Sequence, residues 1–360
     1  MLVHICCSVD SHFFLQELKK LYPKEDLVGF FYDPNIHPYS EYCLRLLDVK
    51  RSCKKLGIRL IEGEYDYENW LEAVRGFENE PERGKRCNLC FDNRLENTAI
   101  KAKELGQKTI TTTLLTSPKK SMEDLGNSLK QICAKHELNF ITPDFRKNSG
   151  TSRQFELAKK DMLYHQNYCG CLFALNDQRQ SQKRLSDELM SPISAQILPS
   201  SIDERIKLYE KVRKWEKKGK DFWLKRESFL NYRLLDAKIK AQGEVLPSYI
   251  LFYSHMKRTF TRGKIAKEED GIGYFNRENI IFLSLEKYNN LSKKNYKSVK
   301  ELIFAPPKLK VDLDVRKKLQ DNFFSLSPII ILDALTFHRL EITLNSHIYQ
   351  DVREILAIKR

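Results

Sequence analysis

The chain opens on an apolar run, residues 1–5, that breaks at two adjacent cysteines and an acid, Cys6, Cys7 and Asp10. Over residues 11–21 the large apolar side chains Phe13, Phe14, Leu15, Leu18 and Leu21 recur at mostly helical spacing, so the pattern predicts strand, tight turn and helix. The unit then repeats. Residues 27–32 form a second apolar run that ends in the turn-rich Asp33-Pro34-Asn35-Ile36-His37-Pro38; residues 41–56 read as a helix stopped by Gly57, and 58–61 as a third strand. Further on the pattern predicts a short helix at 66–74, an exposed charged loop at 78–86, a helix at 94–105 and a threonine-rich strand at 108–115. A helix at 122–136, a strand at 138–141 and a helix at 153–166 complete the series. Alternation of this kind predicts an α/β fold, a parallel sheet with helices on both faces, and ligands gather at the carboxyl ends of such strands.

The rhythm changes after residue 180. Residues 181–202 are polar and proline-bearing, as in a linker, and 203–220 form a basic helix carrying Lys207, Lys211, Arg213, Lys214, Lys217 and Lys218. Apolar stretches at 232–241, 249–253, 280–285 and 329–332 predict strands with short helices between them, so 203–360 is expected to be a smaller basic α+β domain following a catalytic domain at 1–180. This half shows no nucleotide loop, metal pattern or catalytic triad. Its aromatic residues are expected mainly in its core.

Composition sharpens the division. No apolar run reaches the roughly 18 residues of a membrane span, and the first residues lack the features of a secretory signal, so a cytoplasmic location away from membranes is expected. Nine cysteines without such a signal point to reduced thiols engaged in metal or redox chemistry, and an odd count excludes a fully paired disulfide framework. All nine fall within residues 1–177, where 26 Lys+Arg balance 25 Asp+Glu; residues 178–360 hold 36 against 23. The net charge of +14 therefore divides as +1 and +13, and a positive field of that size favours a polyanion, nucleic acid first.

Three cysteine pairs, Cys6/Cys7, Cys87/Cys90 and Cys169/Cys171, are each expected in a loop or at the end of an element, whereas Cys43, Cys53 and Cys133 fall inside helical stretches as packing residues. Arg86 and Arg94 flank the second pair and favour thiolate or an anionic substrate. Lys119 and Lys120 after the fourth strand, and Arg146 and Lys147 after the fifth, suit phosphate groups. His37, alone in a proline-bounded loop, is either a ligand contact or a local fixture. Six thiols exceed one tetrahedral zinc or one four-iron cluster. Two metal sites side by side, or one site with two idle thiols, both satisfy the spacing.

Taken together, His4-x-Cys6-Cys7-x2-Asp10, the Phe31 to Pro38 run followed by Glu41-Tyr42, Arg86-Cys87-x2-Cys90-x3-Arg94, Thr112-Thr113-Leu114-Leu115-x-Ser117-Pro118-x-Lys120, Asp144 to Lys147 and Tyr164-x-Gln166-x-Tyr168-Cys169-Gly170-Cys171 resemble the cobalamin-independent epoxyqueuosine reductase family across residues 1–177. Ser8 and Val9 stand where members often carry Ala-Pro. The resemblance implies a fold like that of the adenine-nucleotide α-hydrolases, and reduction of epoxyqueuosine to queuosine in the tRNA anticodon loop. It further implies a [4Fe-4S] cluster beside a single iron held by cysteine and aspartate. Carried over by position, Cys6, Cys7, Asp10, Cys87, Cys90, Cys169 and Cys171 are the metal ligands, with Asp10, Cys7 and Cys171 nearest the chemistry. Asn35, His37, Arg86, Arg94, Lys120, Arg146 and Lys147 are the expected substrate contacts. Partners are a tRNA and a reduced electron donor such as ferredoxin or flavodoxin. No resemblance is read beyond about residue 175. Two other functions use the same residues: a zinc-ordered RNA-binding protein, and an ATP-dependent tRNA thiolation enzyme. The latter requires a serine- and glycine-rich phosphate loop where this chain has Cys6-Cys7-Ser8-Val9-Asp10.

Overall fold

The structure is a computed structural model that describes residues 1–118, 120–190, 196–320 and 325–358. Lys119 and part of the expected linker, 191–195, therefore lie outside the described residues. In the first half, β1 (Leu2–Ile5), β2 (Val28–Phe31), β3 (Arg59–Glu62), β4 (Thr109–Thr112) and β5 (Asn139–Phe140) form one parallel sheet in the order β3-β2-β1-β4-β5. Between them run α1 (Ser8–Leu21), α2 (Tyr39–Leu56), α3 (Tyr67–Ala73), α4 (Lys85–Glu104) and α5 (Met122–His136), followed by α6 (Gly150–Lys160) and α7 (Leu172–Ser181).

Side chains alternate across β1 and divide the core. Val3 and Ile5 pack with Phe14, Leu15 and Leu18 of α1, Val49 of α2 and Ala158 of α6, whereas Leu2 packs with Leu95 and Ala99 of α4 and Leu129 and Ile132 of α5. Helices thus cover both faces, as the alternating pattern predicts. Cys53 and Cys133 are buried in these two layers, on α2 and α5. His4 is fully buried on β1, where its ring bonds Thr112 Oγ1 (2.8 Å) and the Tyr32 carbonyl (3.1 Å), tying the central strand to both neighbours.

Three boundaries differ from the sequence pattern, each for a local reason. The strand expected to run to residue 115 stops at Thr112, whose hydroxyl accepts from Leu114 N (3.2 Å) and caps a 3-10 turn, Thr113–Thr116; threonines that favour strands also compete for backbone donors. Helix α4 begins at Lys85 rather than 94, so the second cysteine pair lies on a helix, one turn apart on one face. Helix α6 covers 150–160 instead of 153–166. It starts at Gly150, where a Cβ would fall 1.7 Å from the Phe145 carbonyl oxygen, and closes before Met162, whose φ is +50°.

Contacts group Met1–Leu189 with Arg205–Leu224 and the end of the last strand from Leu356 as one unit, and Met190–Glu204 with Lys225–Ile355 as a second. Helix α8 (Ile202–Lys217), the basic helix, therefore packs mostly with the first unit. Tyr209 meets Tyr164 edge-on at 5.3 Å, and Glu216 takes two 2.8 Å bonds from Arg51. The second unit is α+β. One sheet, in the order β7-β6-β14-β9, is built on two long strands, β6 (Phe222–Ala241) and β14 (Leu340–Ile358), with β7 (Glu244–Leu246) and β9 (Phe260–Gly263) at its edges. The other runs β10-β11-β12-β13-β8: Ile265–Glu269, Ile272–Phe275, Ile281–Ser284, Ile329–Leu332 and Tyr249–Ile250. Ile239, Phe282, Ile330, Leu340 and Ile342 share the core between the sheets. Helices α9 (Leu285–Ser292), α10 (Val299–Phe304) and α11 (Leu309–Leu319) cover the mixed sheet through Tyr288, Val299, Leu302 and Val315. Among the described residues no helix is long and apolar enough to cross a membrane.

Candidate metal centre

Strand β1 sends the chain into β2 on one side while β4 pairs on its other side, so the loops after β1 and β4 part at a topological switch point, where open α/β sheets hold ligands. Cys6 and Cys7 emerge there. Cys7 is the N-cap of α1 and Asp10 lies in its first turn, which brings all three ligand atoms within 4.8 Å of one another. Cys6 Sγ is 3.8 Å from Cys7 Sγ and 3.5 Å from Asp10 Oδ2. A tetrahedral ion with bonds of ~2.3 Å to sulfur and ~2.1 Å to oxygen has sulfur–sulfur and sulfur–oxygen edges of about 3.8 and 3.6 Å. The donor set therefore fits one cation with a position to spare. Burial and the hydrogen bond from Gln154 Nε2 to Asp10 Oδ1 (2.7 Å) fix the carboxylate, and Thr113 Oγ1 lies 3.6 Å from Cys6 Sγ.

The other four thiols gather at the same end of the sheet. Cys87, half-buried, and Cys90, buried, lie in the first two turns of α4, and Cys171 is the N-cap of α7, with Cys169 two residues before it. Trp70, Val74 and Ala174 pack around Cys90 and Cys171, with Cys169 against them. Among the described residues, Cys6, Cys7 and Asp10 form the one group of three or more donors within 4.8 Å, so these four sulfurs are spread wider than a single ion needs. A cubic cluster, held at its outer corners, requires that wider spacing.

Charge at this second group is uneven. Burial pushes Cys169 up, but Lys120, whose Nζ lies 3.4 Å from its sulfur, together with Arg94 and Arg45 outweighs burial and the opposing Glu82, and its thiol falls below the usual range. Burial holds Cys87 and Cys90 above it and takes Cys171 to about 12. Cys6 is raised well above its ordinary value by its hydrogen bond with Cys7 and then by burial; Asp10 is raised by burial. Loading a cation onto these groups releases protons.

The Cys169–Cys171 loop is braced from beneath. Arg45, buried on α2, donates to the carbonyls of Cys169 (2.9 Å) and Tyr168 (3.0 Å) and pairs with Glu41 (2.8 Å), which also accepts from the Tyr164 hydroxyl. Gly170 has φ +117°, and a Cβ there would come within 3.0 Å of Ile36 and 3.1 Å of Arg45, so the two cysteines can be separated only by glycine.

The expected substrate contacts divide into two kinds. Arg86 is buried and donates from Nη1 to the carbonyls of Phe77, Glu78 and Glu80, folding the charged loop onto α4; Arg94 is buried against Asp33. Arg146 bonds the carbonyls of Leu115, Lys120 and Leu114 and so shapes the loop after β4. Asn35 is buried with Oδ1 unpartnered, and His37, beside Tyr67 at 5.0 Å, is lowered by burial. Lys147 stands in solvent near Asp144. A cavity of about 180 Å³ lies beside the four-thiol group, lined by Arg83, Asn88, Phe91, Lys120 and Asp124. Thr113 stands in the fourth quoted motif without a role, and Gln154, Trp70 and Arg45 lie in none of the quoted motifs. Only Arg45 had a signal in the sequence, its i,i+4 spacing from Glu41.

The model of the family described as epoxyqueuosine reductase QueH matches residues 1–177. An epoxyqueuosine reductase QueH from Helicobacter pylori is 40% identical over 363 residues, spanning 96% of this chain and 97% of its own. The chain belongs to the epoxyqueuosine reductase QueH family. It is an oxidoreductase. Relatives of the same description from Acinetobacter baylyi and Thermotoga maritima are 40% and 34% identical over 179 and 189 residues, covering 49% and 52% of this chain and 81% and 95% of theirs. The family match ends at residue 177, as the sequence motifs imply, while the Helicobacter pylori relative is similar through the second half as well.

Proposed function

We propose that this member of the epoxyqueuosine reductase QueH family reduces epoxyqueuosine in a tRNA anticodon loop, with one iron held by Cys6, Cys7 and Asp10 beside a [4Fe-4S] cluster held by Cys87, Cys90, Cys169 and Cys171. The observation that carries the reading is the pair of donor groups at one switch point, the first spaced as the edges of a single tetrahedral ion and the second spaced wider. When bound, such a pair supplies Lewis acidity toward an epoxide oxygen and electrons one at a time. Removing the oxygen as water and leaving an alkene takes two electrons and two protons, so a one-electron donor such as reduced ferredoxin or flavodoxin is required.

The chain's own residues set the geometry. Gln154 holds Oδ1 of Asp10 and turns Oδ2 toward Cys6. Lys120, 3.4 Å from the Cys169 sulfur, favours its thiolate form and makes one wall of the adjoining cavity, where Arg83, Asn88 and Asp124 offer hydrogen bonds to a polar ring. The unpartnered, buried Oδ1 of Asn35 and Oδ2 of Asp33 are further acceptors for substrate. Arg86, Arg94 and Arg146 act as positioning residues that shape the loops. Lys147, in solvent, is available to a phosphate.

Two measurements test the reading. Protein purified without oxygen should be brown and contain iron and sulfide; a colourless protein with stoichiometric zinc and no iron would refute the iron reading. Cells lacking the chain should accumulate epoxyqueuosine in their tRNA, as read by nucleoside mass analysis. Unchanged queuosine in a cell with no second reductase would refute the substrate.

A further inference from the structure

Helix α8 presents two opposite faces. Tyr209, Val212 and Glu216, at i, i+3 and i+7, are the anchoring face: Tyr209 and Val212 are buried and Glu216 is tied to Arg51 and Lys55 of α2. Lys207, Lys211 and Lys214, at i, i+4 and i+7, lie on the other side, and Lys218 follows them in the turn just past the helix; all four are exposed. Arg213, Lys217 and Lys220 flank them in solvent, and none of these seven cations has an ion-pair partner among the described residues. Lys211 and Lys220 both lie over the indole of Trp215, at 4.8 and 5.4 Å from its centroid, which gathers two ammonium groups at one spot. Of the acids on the helix, Glu216 is consumed by the anchor and Glu204 accepts from Ser200 N and pairs with Arg353, leaving Asp203 and Glu210.

Lysines in the last turn of a helix answer its dipole, and that accounts for Lys214 and Lys217. It does not account for Lys207 and Lys211, two to three turns earlier. Three like charges on one stripe repel each other along roughly 10 Å of helix at 1.5 Å per residue, and Lys218 adds a fourth in the turn beyond. A linear polyanion relieves that repulsion. The anchor also leads to the site: Tyr209 packs on Tyr164, which donates to Glu41, which pairs with Arg45, which holds the Cys169 carbonyl.

We propose that the outward stripe of α8, Lys207, Lys211 and Lys214, together with Lys218 in the turn after it, is the surface on which the first unit receives the phosphate backbone of its tRNA, an assignment that rests on the tRNA reading above. It places the docking charge on a helix fixed to the first unit, although most of the excess charge of the second half lies elsewhere in the sequence.

The test uses the full chain and an unmodified tRNA transcript, with Kd measured by fluorescence anisotropy from 50 to 300 mM salt. One variant carries Lys207→Glu, Lys211→Glu, Lys214→Glu and Lys218→Glu; a control carries the same reversal at the exposed Lys293, Lys294, Lys297 and Lys300 of the second unit. The α8 variant should bind at least tenfold more weakly, with the slope of log K against log salt shallower by about 3, since each lost phosphate contact removes roughly 0.7–0.9. The control should keep both values within twofold. Circular dichroism confirms that each variant is folded, and Lys→Gln at the four α8 positions, which perturbs the helix less, should weaken binding in the same direction. Undiminished affinity and slope in the α8 variants overturn the assignment, as does an equal loss in the control. Failure of the wild-type chain to bind tRNA would instead overturn the tRNA reading itself, and the assignment with it.

Discussion

Arg45→Met removes the brace under the Cys169–Cys171 loop while leaving every thiol in place. Arg45 and Glu41 are 3% and 0% exposed, so the substitution leaves a buried carboxylate without its cation and removes two hydrogen bonds to loop carbonyls. Breaking a buried pair by deleting one partner costs about 3–5 kcal/mol. Glu41 keeps the Tyr164 hydroxyl and lies within reach of Arg205, which favours the lower end, about 3 kcal/mol. For a unit of this size that is roughly 6–12 °C in Tm. The assay is urea unfolding of the reduced, metal-free chain, where no loss of metal can imitate the effect. Glu41→Gln should be costly alone, and the double variant should cost less than the sum of the single ones by about 2 kcal/mol because the two share one interaction. A stability within about 0.5 kcal/mol of wild type for Arg45→Met, with additive single changes, would refute the brace.

Asp10→Asn preserves shape and removes charge; it should retain cluster iron and sulfide while losing one iron and turnover, read by the iron-to-sulfide ratio. Cys87→Ala and Cys169→Ala should lose metal and activity together, whereas Cys133→Ala, buried between α5 and the sheet, should keep both. In the second unit burial raises Asp312 to about 6, against the hydrogen bonds from Tyr249 and Tyr288 and the charge of Arg316. A carboxyl with a raised folded value favours the folded state below its unfolded value near 4, and that contribution is lost as pH rises through 6. Unfolding free energy should therefore fall by about 2–3 kcal/mol between pH 4 and 6 from this group, and the fall should vanish in Asp312→Asn.

The parallel sheet was legible because buried strands such as β1 read as unbroken apolar runs, and the thiols because three close pairs stand out among nine cysteines. What escaped has physical causes. Threonine serves strands and caps equally, so the 3-10 turn after Thr112 was hidden in a strand pattern. An arginine beside a cysteine pair can face a substrate or fold a loop, and only the three carbonyls around Arg86 distinguish these. Gln154 carries no signature, because its role depends on α6 meeting α1 from 144 positions away. The first half of β14 alternates Leu340, Ile342 and Leu344 with polar residues and was legible, but it was not read.

Cys6 and Cys7 leave the ribosome long before the segments that complete their surroundings. At roughly 5–20 residues per second, translation takes about ten to thirty seconds to reach Cys171 from Cys7. During that interval the nascent chain carries two neighbouring thiols with neither the β4 loop nor Gln154 nor the later cysteines in place. The complete donor set of the proposed centre exists only after nearly half of the protein has been made. Throughout that span Cys6 and Cys7 exist without the groups that later surround them, so the order of synthesis bears on how the proposed centre would be loaded.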